Sequence, residues 1–169
     1  PEAVNIFVAS DHHIPDRGAF QRAVVQAAEA ARQGRIVTLG VKPTSPSTAY
    51  GYICPEGEGL SEVRTFREKP DRESAQEYIR DGYLWNSGNF IVSAATLVAE
   101  LQERAPAVAD AASRALSDMS QGHVEVLGDA FRDAPKISID YAVMEKTQRA
   151  SVLAVDFAWS DLGAWDAIA

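Results

Sequence analysis

The sequence predicts an α/β fold, and three observations carry that expectation. Helix-like and strand-like periodicities alternate along the chain as they would in one α/β unit. With 169 residues, 46% of them hydrophobic, there is enough apolar surface for one real core, so a single domain over residues 1–169 is expected. An aspartate also follows a strand-like apolar run at each end, Asp11 after Val4–Ala9 and Asp161 after the run that closes at Phe157. Residues just past strand ends are where an α/β sheet presents groups to a ligand.

Val4-Asn5-Ile6-Phe7-Val8-Ala9 reads as a buried strand with neighbours on both sides. Because it comes almost at once after Pro1, with no initiating Met, the start of a larger domain is expected to be absent. Asp16 caps a helix from about Gly18 to Gln33, with Phe20, Val24, Ala27, Ala28 and Ala31 on its apolar face and Gly34 as its stop. Ile36–Val41 is the next strand, reached by a parallel crossover. After a turn-rich loop, Ala49–Ile53 forms a short strand whose Gly51 marks a bulge or a close approach to the backbone. Glu56–Gly59 is a hairpin tip, returning through Glu62–Glu68. Asp71 caps a helix to about Asp81, with Gly82 beyond it. The next strand is interrupted by a turn or bulge at Asn86-Ser87-Gly88. Ser93 caps a helix through Leu97 and Leu101, and a second follows through Val108, Ala112, Leu116 and Met119. Residues 121–136 read as loop with some helix, Ser138–Lys146 as a short helix, and Ser151–Phe157 as the last strand.

Sixteen basic residues against 24 acidic give a net charge of -8, which argues against a phosphate-tracking nucleic-acid surface. The single cysteine, Cys54, excludes an internal disulfide and a cysteine metal cluster and suits a reducing cytoplasm. No run of apolar residues approaches membrane-spanning length, so no membrane partner is expected.

Polar groups cluster at strand ends: Asp11, Glu68-Lys69-Pro70, Asn86-Ser87-Gly88, Asp140 and Asp161. Two carboxylates can hold Mg²⁺, which favours one or two carboxylates plus water and phosphate oxygens. Carboxylates and an amide pair with sugar hydroxyls, and Lys69 can meet a phosphate as a point charge, so the inventory suits a phosphorylated sugar. On charge alone, Glu68 and Lys69 are better explained as an exposed pair at a strand end. Asn86 says more, since a buried amide in a strand must find partners. The adjacent His12 and His13 would face opposite ways and have no third ligand at suitable spacing, so zinc is not expected, and His123 reads as a surface residue.

Six motifs in this order resemble the mannose-1-phosphate guanylyltransferase family. They are Ser10-Asp11-His12-His13-Ile14, Tyr50-Gly51-Tyr52-Ile53, Phe66-Arg67-Glu68-Lys69-Pro70, Trp85-Asn86-Ser87-Gly88, Ser138–Lys146 and Trp159-Ser160-Asp161-Leu162-Gly163-Ala164-Trp165. The resemblance implies a Rossmann-like mixed sheet of the nucleotidyltransferase, glycosyltransferase-A-like type, and the reaction of GTP with mannose 1-phosphate to give GDP-mannose and pyrophosphate. It further implies Asp11 and Asp161 as Mg²⁺ ligands, and Glu68, Asn86 and Asp140 on mannose hydroxyls. The Gly51 backbone would lie against the sugar and Lys69 on its phosphate. Departures are Ala9-Ser10 where the family has Pro-Ala, Ala49 where it has Gly, and Asn89 where it has Met. The family's Gly-rich, Arg- and Lys-bearing segment for the triphosphate and base does not occur in this sequence. The chain is therefore expected to be the acceptor-sugar and metal part of such a domain, incomplete at the N-terminus and inactive alone. Another sugar-1-phosphate nucleotidyltransferase, or a non-catalytic sugar-phosphate-binding module of the same fold, stays open, as does a homodimer.

Overall fold

The computed structural model describes residues 3–120, 122 and 124–163. Ala164 and Trp165 of the closing motif, and His123, lie outside the described residues. The chain forms two compact units, one of Pro1–Thr96 with Gln148–Ala169 and one of Leu97–Thr147.

In the first unit, β1 (Val4–Phe7) leads through α1 (Arg17–Arg32) to β2 (Ile36–Val41). A hairpin of β3 (Tyr52–Pro55) and β4 (Leu60–Arg67) follows, then α2 (Arg72–Arg80), β5 (Leu84–Ser93) and the start of α3 (Ala94–Arg104). The second unit carries α4 (Pro106–Ser117), a 3₁₀ turn at Asp129–Asp133 and a π-helical turn at Asp140–Met144, after which β6 (Ala150–Val155) returns to the first.

The strands form one mixed sheet in the order β1-β5-β2-β6-β4-β3, with β3 also touching β5. Strands β1 and β2 each run antiparallel to β5 and are therefore parallel to each other, as the predicted crossover requires, but β5 is inserted between them. Among adjacent strands only β2 and β6 pair in parallel. Strand β1 ends at Phe7 and, among the described residues, pairs with β5, with Ile6 and Phe7 nearly half exposed.

Helix α1 begins where the Asp16 carboxylate accepts the Ala19 amide at 2.8 Å, which satisfies one of the free donors of the first turn. It ends before Gly34, whose φ of +86° a side chain would strain. Its buried stripe is Ala23, Ala27 and Ala31, four residues apart, packed with Val37, Leu39, Ile91 and Leu153. Phe20 and Ala28 join from the edge. Helix α2 has the cap the sequence predicts, Asp71 accepting the Ser74 amide at 2.8 Å. Its Ala75 is buried with Val41, Tyr52 and Trp85 in a second cluster, against which Tyr50, Tyr78, Tyr83 and Trp159 pack.

In the second unit the apolar face of α4 is Ala111 and Ala115, whereas Leu116, an expected core residue, is 59% exposed. Helical spacing fits either stripe, and the longer side chain lies on the open one. Gly128 turns back to donate its amide to the Ala115 carbonyl at 2.9 Å.

Candidate functional site

The candidate site grows out of an irregularity in β5. Between Thr38 and Gly40, β2 has the single residue Leu39 while β5 accommodates Ser87, Gly88 and Asn89, since Thr38 faces Phe90 and Gly40 faces Asn86. Gly88 takes up the bend with a φ of +72°. The predicted bulge is therefore present, and it holds Asn86 with its side chain buried. The Asn86 Oδ1 accepts from the Thr38 hydroxyl at 2.7 Å and from the Gly88 amide at 3.1 Å. With its oxygen committed to the fold, the amide is fixed with Nδ2 as the donor end.

Gly51 lies alongside. Its carbonyl accepts the Asn86 amide at 2.8 Å, and a Cβ built on it would stand 2.6 Å from Glu68 Oε2 and 3.2 Å from Asn86 Cβ. Only a residue without a side chain lets these two groups come so near. Three residues separated by 35 positions of sequence, Gly51, Glu68 and Asn86, are thus packed into one small cluster. The Glu68 side chain is only 10% exposed, which removes it from the class of surface ion pairs weighed from the sequence. Lys69 does fit that class in part, 58% exposed with Nζ 3.6 Å from Glu68 Oε1. Its backbone is not ordinary, however. Its φ is +46°, a left-handed conformation that costs a residue with a Cβ about 1–2 kcal/mol. The Tyr50 carbonyl holds it there by accepting the Lys69 amide at 3.3 Å. Strain of this kind at a polar cluster is typical of functional sites.

Segments from early and late in the described residues meet close by. His13 and Ser160 form an antiparallel bridge, with N–H···O distances of 2.8 and 3.1 Å, so the segments carrying Asp11 and Asp161 run side by side. The Asp161 Oδ1 accepts from the Tyr50 hydroxyl at 2.8 Å and from the Gly163 amide at 3.1 Å. Tyr50 sits edge-on between Trp85 and Trp159, with ring centroids 4.9 and 5.3 Å away, and Trp159 donates from Nε1 to His12 Nδ1 at 3.3 Å. The bond engages His12 Nδ1 in the packing of the aromatic cluster.

The fit to Mg²⁺ can be tested on these groups. Among the described residues the Asp161 Oδ2 accepts no hydrogen bond while Oδ1 takes two, and Asp11 is exposed. A pair of carboxylates with one oriented, uncommitted oxygen suits an ion that keeps most of its coordination for water and phosphate. No group of three or more His, Cys, Asp or Glu able to hold a metal occurs among the described residues.

Asp140, the remaining predicted residue, belongs to the second unit, at the start of its π-helical turn, where its carbonyl accepts the Glu145 amide at 3.0 Å. A cavity of about 990 Å³ opens at the ends of β2 and β6, lined by Lys42, Thr44, Tyr83, Phe157 and the two tryptophans that flank Tyr50. None of the seven predicted site residues lines it. Sequence reasoning missed Thr38 and Tyr50. Thr38 left a signal, a hydroxyl in an otherwise apolar buried strand, whereas nothing local marks the reach of Tyr50 to Asp161.

Residues 2–169 match the family model for nucleotidyl transferases. The chain belongs to the nucleotidyl transferase family. Similar curated proteins include the xanthan biosynthesis protein XanB of Xanthomonas campestris pv. campestris (strain B100), 46% identical over 96% of this chain and 36% of the relative. The mannose-1-phosphate guanylyltransferase of Escherichia coli (strain K12) is 40% identical over 96% of this chain and 36% of its own length. The chain thus spans about a third of the curated relatives it matches. Among solved structures, that named mannose-1-phosphate geranyltransferase from Thermus thermophilus superposes with a TM-score of 0.86 at 37% identity, covering 97% of this chain and 48% of that one. UDP-glucose pyrophosphorylase complexed with UDP-glucose shares the fold alone, at 15% identity and a TM-score of 0.56 over 98% of this chain and 53% of that one. The resemblance read from the six motifs holds at the level of family, and the mixed α/β sheet is that of sugar nucleotidyltransferases.

Proposed function

We propose that this chain supplies the acceptor-sugar and metal part of a mannose-1-phosphate guanylyltransferase, which joins GTP and mannose 1-phosphate into GDP-mannose and releases pyrophosphate. The observation that carries the reading is the convergence of Gly51, Glu68 and Asn86 beside the strained Lys69. A largely covered carboxylate, a fixed amide donor and a bare backbone recognise vicinal hydroxyls, and an exposed ammonium at their edge recognises the phosphate. The similar proteins with this activity in their names supply the sugar and the base.

In this reading Glu68 and Asn86 fix the ring, and Gly51 lets the ring lie against the main chain. Lys69 holds the phosphate so that one of its oxygens faces the α-phosphorus of GTP. That oxygen forms the new P–O bond as the bond to the β-phosphate breaks and pyrophosphate leaves. Positioning and charge neutralisation supply most of the acceleration, and no covalent enzyme intermediate is required. Asp11 and Asp161 would hold Mg²⁺, whose contribution is to neutralise phosphate charge. Mg²⁺-dependent pyrophosphate release from GTP and mannose 1-phosphate, by the polypeptide carrying this sequence, tests the proposal. Asp161→Asn should abolish it, and retention of near-normal rate would remove Asp161 from the metal site. Turnover with another sugar 1-phosphate but not with mannose 1-phosphate would refute the substrate assignment. Mannose 1-phosphate binding without turnover by the full-length protein would leave a binding module of the same fold.

A further inference from the structure

We infer that Tyr50 is the positioning residue that joins the metal site to the phosphate-binding lysine, an inference that rests on the proposed metal role of Asp161. The two ends of one residue reach two different groups. Through its hydroxyl, Tyr50 donates to Asp161 Oδ1 at 2.8 Å, and through its carbonyl it accepts the amide of Lys69 at 3.3 Å, the bond that keeps Lys69 in its left-handed conformation. Its ring has little freedom, because Trp85 and Trp159 meet it edge-on from 4.9 and 5.3 Å. Edge-to-face packing of this kind fixes a ring more firmly than area burial alone.

Asp161 is consequently held by one oxygen only. The Gly163 amide is the second donor to Oδ1, at 3.1 Å, and Oδ2 accepts no hydrogen bond among the described residues. A carboxylate clamped through one oxygen presents the other in a fixed direction, and donors that orient a ligating carboxylate typically change metal affinity by about 10–100-fold when removed. The geometry makes Oδ2 the metal-facing oxygen. Gly163 guards it by being glycine, since a Cβ there would stand 2.8 Å from Oδ2. Tyr50 also adjoins Gly51, so one short segment sets the distance between sugar hydroxyls, phosphate and metal.

The experiment uses Mn²⁺ as the probe, with its free ion followed by electron paramagnetic resonance in solutions of the polypeptide carrying this sequence. Tyr50→Phe keeps the ring between its two tryptophans and removes only the hydroxyl. It should weaken Mn²⁺ binding about tenfold or more while leaving mannose 1-phosphate affinity, measured without metal, within about twofold. Gly163→Ala crowds Oδ2 itself and should weaken Mn²⁺ binding comparably, which tests Oδ2 as the metal-facing oxygen; should Tyr50→Phe not fold, Tyr50→Trp or Tyr50→His, either of which also removes the hydroxyl, replaces it. Unchanged Mn²⁺ affinity in Tyr50→Phe, with Asp161→Asn losing it, would overturn the positioning role whatever Gly163→Ala does, and leave the metal site standing. Unchanged affinity in Asp161→Asn would refute the metal site itself. Equal losses of Mn²⁺ and metal-free sugar-phosphate binding in Tyr50→Phe would make the hydroxyl a general structural support and also overturn the inference.

Discussion

Gly51→Ala separates a packing glycine from a binding one. The added methyl would stand 2.6 Å from Glu68 Oε2 and 3.2 Å from Asn86 Cβ, against the 3.4 Å at which ordinary contact begins. The carboxylate must then retreat by about 0.8 Å, in a side chain only 10% exposed and with little room to turn, so the overpacking should cost about 1–3 kcal/mol. A hydrogen bond from a sugar hydroxyl at roughly 2.7 Å would stretch to roughly 3.5 Å, beyond useful range. Losing one such bond to a charged acceptor is worth about 1.5–3 kcal/mol, or about 10–150-fold in affinity. Urea denaturation gives the first quantity and calorimetric titration with mannose 1-phosphate the second. A variant that loses stability yet binds mannose 1-phosphate as tightly as the parent would show that Gly51 serves only the packing of the sheet, and the proposed sugar contact would fail with it.

The remaining predictions concern the neighbours of that contact and one helix cap. Asn86→Ala leaves the Thr38 hydroxyl and the Gly88 amide without their acceptor and should destabilise the fold by about 1–3 kcal/mol. Asn86→Asp keeps an acceptor oxygen but removes the amide donor, so in this variant sugar-phosphate affinity should fall more than stability; the reverse ranking would make Asn86 purely structural. Lys69→Gly relieves a φ of +46° and should leave stability unchanged or raise it by about 1 kcal/mol while weakening sugar-phosphate binding; undiminished binding would remove Lys69 from the phosphate. The Ser74 amide and hydroxyl hold the Asp71 carboxyl below its ordinary value of 3.8. A lowered folded pKa means that the cap stabilises α2 fully above that ordinary value and is lost as pH falls through the lower folded one. The difference in melting temperature between the parent and Asp71→Ala should therefore shrink as pH drops below about 4, and a constant difference would contradict the assignment.

Much of this arrangement was legible in the sequence wherever one local rule decided the outcome. Asp16, Asp71 and Ser93 sit at helix starts because a short polar side chain can accept a free amide, and each does so. The interruption at Asn86-Ser87-Gly88 announced a bulge because polar residues have no other reason to break a buried strand. Pairing partners were not legible. The insertion of β5 between β1 and β2 depends on contacts between residues about 85 positions apart for β1 and about 50 for β2, on which hydrophobic pattern is silent. Glu68 and Lys69 show the same limit within two residues. On charge they look alike as an exposed pair, yet the Glu68 side chain lies against Gly51 and is 10% exposed while that of Lys69 is 58% exposed. Tyr50 gave no sign of its role, since its hydroxyl reaches a partner 111 residues away.

The most direct test of the central claim is a titration of the polypeptide carrying this sequence with mannose 1-phosphate, followed by the backbone amide resonances in two-dimensional spectra. Saturable shifts concentrated at Gly51, Lys69, Asn86 and Gly88, and reduced by Glu68→Gln, are the predicted result. Shifts absent from these residues, or unchanged by Glu68→Gln, would contradict the assignment of this cluster as the acceptor-sugar site.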